Sequence, residues 1–204
     1  MKKNKKFIYL ISPRKIKDSI FYNDLVSVFK SKKISFFQLR LKKESQKKII
    51  NIGKKIKKIC KRFNIKLIIN DNPFLAKKIN ADGCHIGQSD STILEARKIL
   101  KKKIIGVTCH NSRKLIKKAV IGRADYIALG AFYSTKTKNV KYRAKIKLIK
   151  EAKKITKIPI VAIGGINLSN YKKLLLNKAN FLAISSYVWN NKKYKPLEAI
   201  KKLK

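Results

Sequence analysis

A (β/α)8 TIM barrel is the fold class this sequence predicts, and three observations predict it. Short apolar runs alternate eight times with segments of helical periodicity. The runs are nearly continuous in Ile, Val, Leu and Phe, as expected of parallel strands buried on both faces. Polar residues gather where the runs end, and in a barrel all strand ends open on one catalytic mouth. A doubly wound open sheet shares the alternation, but no GxGxxG phrase follows the first run. With 204 residues and 45% hydrophobic content the chain can bury one full core, so 1–204 is read as a single domain.

The elements follow in order. FIYLI (7–11) is the first strand, and in 18–30 the apolar residues Ile20, Phe21, Leu25, Val28 and Phe29 recur at helical spacing. ISFFQL (34–39) leads to a helix over 44–63, with Ile49, Ile52, Ile56 and Cys60 on its apolar side. KLIIN (66–70) pairs with a short helix over 73–80, opened by Pro73, a residue suited to a first helical turn. GCHIG (83–87) precedes a helix over 92–100, and KIIGVT (103–108) one over 114–121. YIALG (126–130) is followed by a polar loop and a helix over 146–155. IPIVAIGG (158–165) leads to a helix over 168–176, and FLAIS (181–185) to a C-terminal helix ending near Lys201.

Composition narrows the function. The net charge of +43 would by itself point to nucleic acid, yet only seven of the 53 basic residues are arginine, the residue that reads bases and grips phosphates bidentately. The lysines are spread over every helix rather than forming one stripe, so no specific nucleic-acid partner is expected. The charge reads instead as a general attraction for phosphorylated small molecules. Three cysteines without a CxxC pair suggest neither a disulfide framework nor a zinc site. No apolar run is long enough for a membrane span, and the expectation is a soluble, cytoplasmic protein.

The ten acids are scarce enough to be informative. Glu44, Glu95, Glu151 and Glu198 fall in or near first turns of expected helices, where the macrodipole favours negative charge. Asp82 and Asp125 precede strands and read as turn residues. Asp71 and Asp90 end two successive strand runs and so share one edge of the sheet. Mg²⁺ binds one or two carboxylates and completes its shell with water and substrate phosphates, which suits this pair, although the spacing alone favours turn or N-cap roles. Gln38, Arg40 and Lys42 follow strand two, Asn70 ends strand three, and Thr108 to His110 follow strand five. Ser134 to Lys138 offers hydroxyls and ammoniums to an anion, Gly164 and Gly165 allow close backbone approach, and Ser185 and Ser186 follow strand eight. His85 lies within a strand and reads as a packed barrel residue; Cys84 beside it faces the other way, so no Cys/His dyad is expected.

Read together, QLRLK (38–42), IND (69–71), ADGCHIGQSD (81–90), IGVTCH (105–110), ADYIALGAFYSTKTK (124–138), IPIVAIGGI (158–166) and AISS (183–186) resemble the thiamine phosphate synthase family, in the superfamily shared with thiazole tautomerase. The resemblance implies a transferase that joins 4-amino-5-hydroxymethyl-2-methylpyrimidine diphosphate to thiazole phosphate, through a pyrimidine cation captured by the thiazole nitrogen. It implies Gln38, Arg40, Lys42, Asn70, Thr108 and Lys138 as pyrimidine diphosphate contacts, with Arg40, Lys42 and Lys138 aiding catalysis. Asp71 and Asp90 would hold Mg²⁺, and Thr135, Lys136, Thr137, Gly165, Ile184 and Ser185 the thiazole phosphate. Leu41 stands where the family often has an acid, Cys109 replaces a threonine, and Ser134 a proline. Tautomerase relatives do not need a metal-bound diphosphate, so Asp71, Asp90 and Lys138 favour the synthase over that alternative.

Overall fold

The computed structural model describes residues 6–16, 19–135 and 142–204. Eight parallel strands close in sequence order: β1 (Ile8–Ile11), β2 (Ile34–Leu39), β3 (Lys66–Asn70), β4 (Gly83–Ile86), β5 (Ile104–His110), β6 (Tyr126–Leu129), β7 (Ile160–Ala162) and β8 (Phe181–Ile184), with β8 pairing back onto β1. The expected barrel is therefore present. Between the strands lie α1 (Ser19–Lys30), α2 (Gln46–Arg62), α3 (Pro73–Ile79), α4 (Ile93–Leu100), α5 (Arg113–Ile121), α6 (Lys147–Ile155) and α7 (Tyr171–Leu176). After β8 the chain forms α8 (Ser186–Trp189) and α9 (Pro196–Lys202), where the sequence suggested one helix. Among the described residues no helix is long and apolar enough to cross a membrane.

Strand alternation divides the core into two layers. Ile8 and Leu10 of β1 pack with the helices, whereas Tyr9 faces the lumen with Ile68, Tyr126, Ala128, Val161 and Ala183. Phe36 and Phe181 close the lumen edge to face, with ring centroids 5.1 Å apart. Gly106 makes this filling possible, since a Cβ there would collide with the Tyr126 ring. Each large side chain fully buried in either layer contributes about 1.5–3 kcal/mol relative to exposure.

The end of the barrel opposite the mouth is stapled by three residues that immediately precede even-numbered strands. Asp82 accepts from Leu67 N at 2.8 Å and Lys57 Nζ at 2.6 Å. Asp125 accepts from Ile105 N and Arg97 Nη2, both at 2.7 Å. Asn180 repeats the arrangement with Ile160 N at 2.9 Å and Lys153 Nζ at 2.7 Å. In each case a side-chain oxygen ties a backbone N–H of the preceding strand and a cation from the helix that leads into that strand. Asp82 and Asp125 are thus structural, as their turn positions suggested.

Two of the four glutamates behave as helix-start acids. Glu95 closes a capping box with Thr92, and Glu198 accepts from Lys195 N at 3.2 Å. Glu44 precedes the N-cap Ser45 and pairs with Lys48 at 2.9 Å. Glu151 lies a full turn inside α6, beyond reach of the unpaired first N–H groups, and pairs instead with Arg113 of α5 at 2.9 Å. Helix α7 starts at Tyr171 rather than near 168, because Asn167 N donates to Asn170 Oδ1 and Ser169 N donates to Asn167 Oδ1, holding 167–170 in a turn.

Candidate active site

The C-terminal ends of β2 to β5 bring one group of polar residues together. Gln38, 3% exposed on β2, donates from Nε2 to Asn70 Oδ1 at 3.1 Å, which orients both amides. Arg40 is held by Ser12 at the end of β1: its N donates to Ser12 Oγ at 3.0 Å, and Ser12 N donates to Gln38 O at 2.9 Å. Burial lowers the pKa of the Arg40 guanidinium, Asp71 opposes that, and Arg14 adds to it. Lys42 pairs with Asp71 at 2.9 Å, the two side chains being 51% and 28% exposed.

Asp71 has a left-handed backbone at φ 64, which Asp and Asn tolerate better than most residues, and its N donates to His85 O at 2.7 Å. That conformation breaks the strand and turns the carboxylate back toward the β4 loop. Asp90 Oδ2 accepts from Gly87 N at 2.7 Å, folding the GQSD loop onto the same spot. Burial raises the Asp90 carboxyl above its ordinary range, the Gly87 N–H pulls it down, and Asp71 beside it raises it again. Like charges are therefore held together here, an arrangement that a divalent cation would relieve. Among the described residues no group of three or more His, Cys, Asp or Glu side chains forms a cage for a metal. Two carboxylates with open neighbouring positions fit an ion that takes the rest of its shell from water and substrate oxygens.

Across the mouth, the loops after β1, β6, β7 and β8 enclose a cleft of about 830 Å³ lined by Arg14, Lys15, Thr135, Gly165, Ser185 and Trp189 among others. Ser185 Oγ donates to Ser12 O at 3.1 Å and Trp189 Nε1 to Ile11 O at 2.6 Å, so β8's loop and the extra helix α8 are anchored to β1. Gly165 has φ 63, and a Cβ on it would collide with Ser134 O; Gly164, at φ 97, would meet Ala131. The paired glycines are thus required for loops six and seven to touch. Ile184 is buried in the outer core, so only its backbone can line the mouth. Lys136, Thr137 and Lys138 lie outside the described residues.

Strand five runs to His110, two residues beyond its expected end, with a register irregularity between Thr108 and His110. Cys109 is buried and its thiol pushed up to about 12, while His110, at φ 50, turns against Tyr142 with centroids 4.7 Å apart. His85 lies in the barrel interior, stacked on Tyr126 and hydrogen-bonded to it and to Thr108, and burial pushes its pKa down to about 4. Gln88 Nε2 donates to Thr108 O. Arg14, Lys15, Ser12 and Trp189 were not singled out from the sequence. Ser12, directly after the first apolar run, carried a positional signal; the two cations were masked by the general lysine excess.

The family model described as thiamine monophosphate synthase matches residues 8–188. The thiamine-phosphate synthase of Pelagibacter ubique (strain HTCC1062) is 71% identical over 201 residues, 98% of this chain and 97% of that protein. That of Nitrosomonas eutropha is 40% identical over 158 residues, 77% of this chain and 74% of that protein. Among solved structures, thiamine phosphate pyrophosphorylase from Pyrococcus furiosus superposes with a TM-score of 0.86 at 25% identity, covering 98% of this chain and 94% of that one. A 3-hexulose-6-phosphate synthase from Salmonella typhimurium, with a TM-score of 0.71 at 13% identity over 96% of this chain and 95% of that one, shares the barrel alone. With a family match spanning β1 to α8 and the barrel and polar mouth described above, this chain belongs to the thiamine monophosphate synthase family.

Proposed function

We propose that this chain joins 4-amino-5-hydroxymethyl-2-methylpyrimidine diphosphate to a thiazole phosphate, releasing diphosphate and forming thiamine phosphate. The observation that carries the reading is the Asp71 and Asp90 carboxylate pair, set beside Lys42 and Arg40 at the barrel mouth. Asp71 and Asp90 would hold Mg²⁺. Bound there, the ion supplies Lewis-acid stabilisation of charge developing on the departing diphosphate.

The chain's own residues do the rest. Gln38 donates one amide hydrogen to Asn70, which leaves the Gln38 carbonyl to accept and the Asn70 amide to donate, a combination that matches the edge of an aminopyrimidine. Arg40, Lys42 and Lys138 neutralise the diphosphate, and Thr108 contacts it from β5. Thr135, Lys136, Thr137, Gly165, Ser185 and the backbone of Ile184 bind the thiazole phosphate; of these, Thr135, Gly165 and Ser185 line the cleft that also holds Arg14 and Lys15. Departure of diphosphate leaves a pyrimidine cation for the thiazole nitrogen, so the protein must position two substrates and needs no strong base. A neutral His85 agrees with that requirement.

The purified chain, given both substrates and Mg²⁺, should form thiamine phosphate and diphosphate in equal amounts, and neither when one substrate is omitted. Isomerisation of a thiazole carboxylate phosphate without condensation would replace this reading with that of a tautomerase.

A further inference from the structure

Four polar side chains form an unbroken hydrogen-bonded chain inside the barrel. Tyr9 Oη lies 2.7 Å from Tyr126 Oη, which lies 2.9 Å from His85 Nδ1, and His85 Nε2 lies 2.8 Å from Thr108 Oγ1. Its far end is dry: Tyr9 is 2% exposed, and the lumen around it is built from Ile68, Ala128, Val161, Ala183 and the ring of Phe36. Its near end, Thr108, is partly exposed at the mouth.

A neutral imidazole has one N–H, and each hydroxyl has one hydrogen, so the chain has two senses, set by which His85 nitrogen carries the hydrogen. In the first, Tyr9 donates to Tyr126, Tyr126 to His85 Nδ1, and His85 Nε2–H to Thr108. Every buried donor is then satisfied, and the Thr108 hydrogen is left over at the mouth. In the second, Thr108 donates to His85 Nε2, His85 Nδ1–H to Tyr126, and Tyr126 to Tyr9. The Tyr9 hydrogen then faces the apolar lumen, because Tyr126 is the only hydrogen-bond partner of Tyr9 Oη among the described residues; if Tyr9 donates to Tyr126 instead, the Tyr126 hydrogen is the one left unpaired. Leaving a buried donor unpaired is the costlier arrangement.

We propose that the chain runs only from Tyr9 to Thr108, and that Tyr126 is a positioning residue which fixes His85 as the Nε2–H tautomer and so commits the Thr108 hydroxyl to donate into the mouth. The ligand it would meet is an anionic oxygen of the diphosphate held beside Asp71 and Asp90, a link that rests on the function proposed above. The opposite sense would turn the Thr108 lone pairs toward the anion and repel it. Gln88, which holds the Thr108 carbonyl from the loop carrying Asp90, keeps that hydroxyl in register with the carboxylate pair.

The chain contains just two histidines, so a ¹⁵N-histidine sample gives a spectrum of two imidazoles, assigned with a His110→Gln variant. In the wild type, long-range proton–nitrogen correlations should show His85 protonated at Nε2 alone. Tyr9→Phe leaves Tyr126 with His85 as its acceptor and should preserve that tautomer, whereas Tyr126→Phe should populate both tautomers. In condensation assays, Tyr126→Phe should lower kcat about tenfold, the worth of roughly one hydrogen bond, with KM for the thiazole phosphate unchanged. Thr108→Val should do the same while Thr108→Ser retains most activity. An Nδ1–H tautomer in the wild type would overturn the proposal even if no variant folds, and so would full kcat in Tyr126→Phe. Correct tautomers in a protein without condensation activity would uphold the chain's direction and count against the functional reading instead.

Discussion

Replacing Asp90 with asparagine should move stability and activity in opposite directions. The amide keeps the shape of the side chain and an oxygen to accept from Gly87 N, so the loop geometry survives. It removes one of two neighbouring carboxylates, and with it the burial cost and the repulsion from Asp71 that raise the Asp90 carboxyl. Because that folded pKa lies above the unfolded value, the native state holds more protons between the two. Wild-type stability without metal therefore falls as pH rises through that window, which starts at the ordinary Asp range and extends upward. Asp90→Asn should flatten this slope. Near neutral pH, without metal, it should leave stability equal or up to about 1 kcal/mol higher, since the group is partly exposed and screened. Activity should fall sharply. A bound metal supplies several kcal/mol of transition-state stabilisation, and the substitution halves the carboxylate charge facing it. If about 2.7 kcal/mol is lost, kcat/KM falls on the order of 10²-fold, with a higher Mg²⁺ requirement. Urea unfolding across pH without metal, together with diphosphate release against Mg²⁺ concentration, tests both halves. An unimpaired rate would remove Asp90 from the metal role, and a metal-free loss of several kcal/mol would show the residue to be structural.

The staples opposite the mouth predict the converse. Asp125→Ala breaks hydrogen bonds to Ile105 N and Arg97, and should cost about 2–3 kcal/mol in urea unfolding while kcat stays within about twofold. Gly106→Ala forces a methyl into the Tyr126 ring, so unfolding should show a loss of about 1–3 kcal/mol or more, and kcat should fall as the Tyr126 contact to His85 shifts; unchanged values would mean that the lumen repacks freely.

Local chemistry made the barrel legible. Eight apolar runs fixed strand identity because parallel strands buried on both faces tolerate few polar residues. A parallel closed sheet then puts every strand end at one mouth, so Gln38, Arg40, Asp71, Asp90 and Thr108 could be grouped from position alone. First-turn placement was legible at Glu95, which closes a capping box with Thr92 in the fold. It was misleading at Glu151, where the actual helix start and the partner Arg113, 38 residues away, decided the role.

What the tertiary structure decided are contacts between residues far apart in the chain. Nothing near Tyr9 in sequence marks it as the partner of Tyr126, 117 residues on, and nothing near His85 announces its bond to Thr108. Gly164 and Gly165 looked like a phosphate turn and also prove to be the space that the loop after β6 needs. Ser12 emerged as the clasp joining β2's end to β8's loop only once the last strand closed on the first. The physical reason is common to all of these: a strand's periodicity is set by its neighbours along the chain. Which side chains share the lumen is set by closure and register, and a one-residue slip would exchange the two faces of a strand.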